Sequence, residues 1–207
     1  MESINACFIS YRHTNPDTHK FFEAFTKQLE KQLGRVLPNY AKPYYDSALH
    51  AGDLYNQELA FQLCYSACMV IFFDTCYFDV NRPYCALEYH AMLQIEEQRL
   101  AQGVEGLPNT GLIFPVVYRG LDHLPKEIKD KRQYIDFQHL IDERDFKKRD
   151  CLIRLNELAD QISRCYLALL KAQKIEHSLC KEYVFPQVEK IMPWLESVSP
   201  LPAMPGH

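Results

Sequence analysis

Three short polar sets, each directly after an apolar run, hold the residue types that do chemistry. The first is Tyr11-Arg12-His13, after Asn5 to Ser10. The second is Asp46 and the loop Ser47 to Asp53, which contains Gly52, after Pro43-Tyr44-Tyr45. The third is Tyr77, Asp79, Tyr84 and Glu88, after Cys68-Met69-Val70-Ile71-Phe72-Phe73. Aromatic faces, an arginine and one carboxylate near a helix start suit a sugar-phosphate or a nucleotide. Tyr11 or Tyr84 can stack a ring, and Arg12 can hold a phosphate as a bidentate fork. Glu88 can bind ribose hydroxyls and oppose positive charge at an anomeric carbon. Singly, each has a plainer role. A glutamate near a helix N-terminus is favourable with the helix dipole whatever else it does. Tyr84 can be packing, Arg12 a loop charge, Asp46 a turn residue. The case rests on convergence.

Convergence requires that the apolar runs be parallel strands with their carboxyl ends on one edge, where open α/β sheets bind ligands. The unbroken run at 68–73 reads as a strand buried on both faces. Pro83 suits the first turn of the next helix. On that helix Tyr84, Leu87, Ala91 and Ile95 recur at helical spacing and are expected to face the sheet, with Glu88 stacked over Tyr84. Before it, Asp17 or Thr18 can cap a helix with Phe21, Phe22, Phe25, Leu29 and Leu33 on one face, stopping at Gly34. Residues 43–46 read as a short strand and 54–65 as a helix. Residues 111–118 form a further strand in which Pro115 predicts a bulge or an end. An edge-like strand at 133–137 and an amphipathic helix from Asp145 to about Lys174 complete a five-stranded, doubly wound parallel sheet. The expected organisation is one domain over 1–174 and a helical extension over 175–207, broken by Pro186 and Pro193.

With 47% hydrophobic residues, a chain of 207 buries a core without staples. A formal charge of −4 and no long basic run give no push towards nucleic acid or anionic membrane. No apolar stretch has the length of a membrane span. The opening MESINACFIS lacks the features of a secretory signal. The eight cysteines include no C-x-x-C pair and fall mostly in apolar segments. They read as buried thiols in a reducing cytoplasm, not as zinc ligands or a disulfide framework. The eight histidines show no H-E-x-x-H or other metal spacing, so no metal is expected, and His13 and His50 read as structural or solvent-facing.

The same residues resemble a known family. FISYRH at Phe8–His13 looks like the first box of the TIR (Toll/interleukin-1 receptor) domain. Tyr44–Leu59 looks like its second strand, BB loop and following helix, and Cys76–Glu88 like its loop-and-helix motif, with an aromatic four positions before a glutamate. The resemblance covers about Asn5 to Lys171 and implies a flavodoxin-like sheet. It also implies NAD+ as a substrate and not a cofactor, cleaved at the nicotinamide–ribose bond, as many bacterial and plant TIR domains and an animal axon-degeneration enzyme do. By position Glu88 matches the catalytic glutamate, Tyr11 and Arg12 match pocket residues, and Asp46 with the 47–53 loop matches the segment that shapes the pocket and meets a neighbouring protomer. Tyr84 stands where tryptophan is usual and His13 where a second basic residue often stands. The absence of G-x-G-x-x-G agrees with NAD+ as a substrate. A chain with little beyond the TIR-like region resembles a prokaryotic stand-alone protein of antiphage defence. The alternative is a catalytically silent TIR module acting by self-association. A phospho-receiver would want an acidic pair where Tyr11-Arg12-His13 stands.

Overall fold

Met69–Phe73 and Ile113–Val117 contain no charged residue, and every residue in both is buried. Such runs have to lie in the middle of a sheet covered on both faces. They do so in the computed structural model of the protein, which describes residues 4–12, 16–37, 41–46, 53–108, 110–140 and 142–200. Strands β1 (Phe8–Tyr11), β2 (Met69–Phe73), β3 (Ile113–Val117) and β4 (Ile135–Asp136) form one parallel sheet in that order. The helices are α1 (Pro16–Val36), α2 (Asp53–Cys64), α3 (Tyr84–Ala101), α4 (Lys126–Lys131), α5 (Arg149–Ala172), α6 (His177–Lys181) and α7 (Val188–Val198). The architecture is α/β and consistent with a flavodoxin-like fold.

Among the described residues four strands form where five are expected. Tyr44 makes a single parallel bridge to Phe8. Around it, Tyr44 N–H donates to the Cys7 carbonyl at 2.8 Å and Ile9 N–H donates to the Tyr44 carbonyl at 2.7 Å. The segment lies where the extra strand would be, and the Lys42 carbonyl accepts from Ala6 N–H at 2.9 Å, but the pairing is a single bridge and not a strand.

Pro115 sits inside β3 with no break, paired with Ile71. Leu112 and Tyr118 bond to β2, while the Val117 carbonyl accepts from Phe137 on the β4 side. Alternation turns the Pro115 nitrogen towards β4, whose pairing begins only at Val116. No hydrogen bond is lost.

α1 runs through Gly34 to Val36, because Leu33 and Leu37 continue its buried face. That burial outweighs a glycine cost of about 1 kcal/mol. α5 starts at Arg149, later than Asp145. A 3-10 turn (Glu143–Lys147) precedes it, capped by Asp142, and buries Phe146 against Phe21, Phe25 and Phe137.

The two faces of β1 are covered differently. Tyr11 stacks on Phe22 of α1 with ring centroids 3.4 Å apart, and Phe72 packs on Phe25. Ser10 points the other way, to α3 and the loop before it.

The C-terminal helices share the apolar core of the sheet through Cys180, Ile191 and Leu195. Trp194 of α7 packs on Phe78 and Tyr89 and donates to the Glu127 carboxylate. α7 runs through Pro193 where a break is expected. α6 packs on α2, and a Cys64–Cys180 disulfide joins them, Cα atoms 5.3 Å apart. This corrects the expectation of eight free thiols: a partner 116 residues away leaves no mark in local cysteine spacing. Among the described residues no helix is long and apolar enough to cross a membrane.

Candidate functional site

The loop from Asp74 to Pro83, between β2 and α3, folds on two aspartates. Asp74 Oδ1 accepts from Cys76 N–H at 2.9 Å, and Asp79 Oδ1 accepts from Asn81 N–H at 2.9 Å. Such side-chain turns are what aspartate does best in a loop. The first delivers Tyr77, wholly buried, beneath the end of β1. The second presents the other oxygen of Asp79 to Arg12, which donates from Nη2 at 2.6 Å. Arg12 Nη1 donates to the Cys76 carbonyl. Burial pushes the Asp79 carboxyl up, but the bonds from Asn81 and Arg12 outweigh it and hold it below its usual value.

α3 runs antiparallel to the strands, so its first turns overhang the carboxyl edge of the sheet. Glu88 lies level with Ser10 and is only 9% exposed. Ser10 Oγ donates to Glu88 Oε2, and Tyr77 Oη lies 2.5 Å from the same Ser10 oxygen. A serine hydroxyl has one proton. With that proton directed at Glu88, the Tyr77 phenol donates to Ser10. Burial pushes the Glu88 carboxyl up to about 7; the Ser10 bond lowers it and the Asp46 charge raises it again. Burial also pushes the Tyr77 phenol up, with Cys85 and Glu88 adding to it. Glu88 is therefore an acid that changes charge near neutrality, with no cation bonded to it among the described residues.

The expected site residues separate into four groups. Glu88 and Asp46 belong together: Asp46, half-buried after the Tyr44 bridge, is close enough for its charge to be felt at Glu88. Arg12 stands beside them, but its terminal nitrogens bond to Asp79 and Cys76. It braces the loop and presents no open fork for a phosphate. Tyr11 lies on the opposite face of the sheet under α1, and its hydroxyl donates to the Asp46 carbonyl at 3.0 Å. It positions Asp46 and has no ring face to offer. Burial, then the Asp46 charge, pushes its phenol up.

Tyr84 does not face the core as expected. It is 53% exposed, because the first residue of α3 lies one turn beyond Glu88, past the sheet edge. From there it can still border a ligand at Glu88. His13 and most of the 47–53 loop lie outside the described residues.

Sequence reasoning missed Ser10. The signal was present: successive strand residues point to opposite faces, so Ser10 and Tyr11 cannot serve one pocket. Neither a protein-family model nor a curated protein matches the chain. Fold and site together define an α/β protein with an ionisable, buried carboxyl at the carboxyl edge of a parallel sheet.

Proposed function

We propose that this chain cleaves the nicotinamide–ribose bond of NAD+, with Glu88 as the catalytic carboxylate. The observation that supports this best is Glu88 itself: buried, with no cation bonded to it among the described residues, and at the sheet edge where α/β folds bind ligands. In this reading the C1′–N bond breaks and nicotinamide leaves with the electron pair, neutralising its ring nitrogen. The ribosyl residue becomes an oxocarbenium-like cation. Ionised Glu88 holds ribose hydroxyls and opposes the developing charge, an interaction strongest in the transition state. Water then adds at C1′ and loses a proton, giving ADP-ribose. Attack by a nucleophile of the same molecule gives a cyclic product. Tyr84 borders the nicotinamide or ribose at the rim, and the 43–45 segment takes the fifth position of a TIR-like sheet. The cytoplasmic, antiphage-defence setting rests on the TIR resemblance alone.

The second reading, a silent interaction module, is favoured by one observation. The Tyr11 ring and the two terminal nitrogens of Arg12, both expected in the pocket, are engaged within the fold. Self-association through the 47–53 loop belongs to either reading. Chromatography of concentrated protein incubated with NAD+ separates the two. The enzyme reading expects released nicotinamide. NAD+ left intact under every assembling condition would favour the module.

A further inference from the structure

Resting on the reading of Glu88 as the catalytic carboxylate, we propose that Ser10 is its positioning residue. The Ser10 hydroxyl, itself oriented by Tyr77, holds Oε2 and leaves Oε1 as the oxygen that meets the ribose. Three observations carry this. Ser10 and Tyr77 are exposed to only 1% and 0%, so neither hydroxyl can turn to water. The distances make a continuous chain, Tyr77 Oη to Ser10 Oγ to Glu88 Oε2. Among the described residues no group bonds Oε1.

The chain has a direction. With Tyr77 donating to Ser10 and Ser10 to Glu88, both hydroxyl protons are used and the carboxylate is the final acceptor. An ionised carboxylate is the stronger acceptor, so this order favours the charged form. The other groups around Glu88 do not. From the segment beside β1, Asp46 brings negative charge and Tyr44 a phenol pushed up to about 12 by burial and then by Asp46. From α3, Cys85 is a thiol pushed up by burial and then by Glu88. Arg12, nearby, directs its terminal nitrogens to Asp79 and the Cys76 carbonyl. Ser10 is thus the group that keeps an otherwise anion-averse site able to hold a carboxylate. A serine that merely fills the strand would have no effect on that charge.

The test uses the full chain with carboxyl-labelled glutamate. The Glu88 resonance is identified by its loss in Glu88→Gln and titrated in the parent, Ser10→Ala, Ser10→Thr and Tyr77→Phe. The pH profile of nicotinamide release is recorded in parallel. Ser10→Ala is expected to move the Glu88 midpoint upwards and the acidic limb of the profile with it. The rate should fall roughly tenfold or more on the acidic side, the measure of a hydrogen bond to a charged group. At high pH, where Glu88 is ionised regardless, the rates should converge. Ser10→Thr, which keeps the hydroxyl, should restore both, and Tyr77→Phe should move both the same way by less. A parent that cleaves NAD+ while Ser10→Ala leaves midpoint and profile unchanged overturns the proposal. A midpoint that moves in Ser10→Ala, with a parent that releases no nicotinamide, supports the hold of Ser10 on Glu88 and overturns the NAD+ reading instead. If Ser10→Ala fails to fold, an unmoved midpoint in Tyr77→Phe overturns the proposal.

Discussion

Glu88 and Glu96 lie about two turns apart on the buried side of α3, exposed to 9% and 8%. Their surroundings differ in one respect that decides what each can do. Glu96 takes both arms of Arg132, at 2.7 and 3.0 Å, and the Leu112 N–H. It ties α3 to the start of β3 at the amino edge of the sheet. The chain makes room for it: Gly111 has a φ of +90°, and a Cβ there would fall 2.5 Å from Glu96 Oε2. Glu88, at the carboxyl edge, receives among the described residues one hydroxyl proton and no cation. A buried carboxylate with a full set of partners is structural, because its charge is already spent on the fold. One left without a cation keeps its charge available to a ligand. Helix, residue type and burial are shared, so the difference lies in the partners that the two sheet edges supply.

Breaking the Glu96 side should have the largest effect on stability. Glu96→Ala leaves the Arg132 charge uncompensated at a mostly buried site, and about 3–5 kcal/mol should be lost in chemical denaturation. A loss below about 1 kcal/mol would mean that Arg132 finds water or another acceptor, and the contrast between the two glutamates would weaken.

Glu88 should show itself through pH instead. Its carboxyl titrates near 7 in the fold, against an ordinary 4.5. Below the ordinary value both folded and unfolded chains carry the proton, and there is no penalty. As pH rises from there to about 7, the unfolded chain ionises first and the folded state loses relative stability. Above that both are ionised and the loss is constant. The difference amounts to ~3 kcal/mol. Glu88→Gln removes it, so the variant should gain on the parent over this interval and hold a constant margin above it. Parallel stability curves for parent and variant would show that Glu88 is not held as described.

The smallest effect is expected at the rim. Tyr84→Ala should change stability by no more than about 0.5 kcal/mol, since its ring is largely in solvent. If the ring borders the substrate, KM for NAD+ should rise. A fall in stability above about 1 kcal/mol would return Tyr84 to the core.

The sequence carried the architecture well wherever burial alone decides. Unbroken apolar runs gave β2 and β3, and helical spacing gave α1, α3 and α5. It was poorer where one backbone hydrogen bond decides. Pro115 looked disruptive because its nitrogen could not be known to face an unpaired stretch. At the site, Glu88 was legible from its distance to the end of a buried strand. Arg12 was legible as a cation near it, but not its closure on Asp79, which depends on how a ten-residue loop folds. Ser10 was passed over for Tyr11 because a serine in an apolar run attracts less notice than a tyrosine, although alternation separates their faces. The Cys64–Cys180 bond could not be read at all, since only the packing of α6 on α2 brings the two together.

The central claim is that Glu88 supplies a negative charge to the reaction and little to the fold. It is tested most directly by the rate of nicotinamide release from NAD+ by Glu88→Gln and parent, side by side above neutral pH, with melting temperatures taken on the same samples. The amide keeps the size of the side chain and a carbonyl acceptor for Ser10, and it removes the charge. The account predicts a rate lower by roughly a hundredfold to a thousandfold, the cost of removing one preorganised electrostatic contact, with a melting temperature at or above that of the parent. Turnover by Glu88→Gln at the parent rate would contradict it.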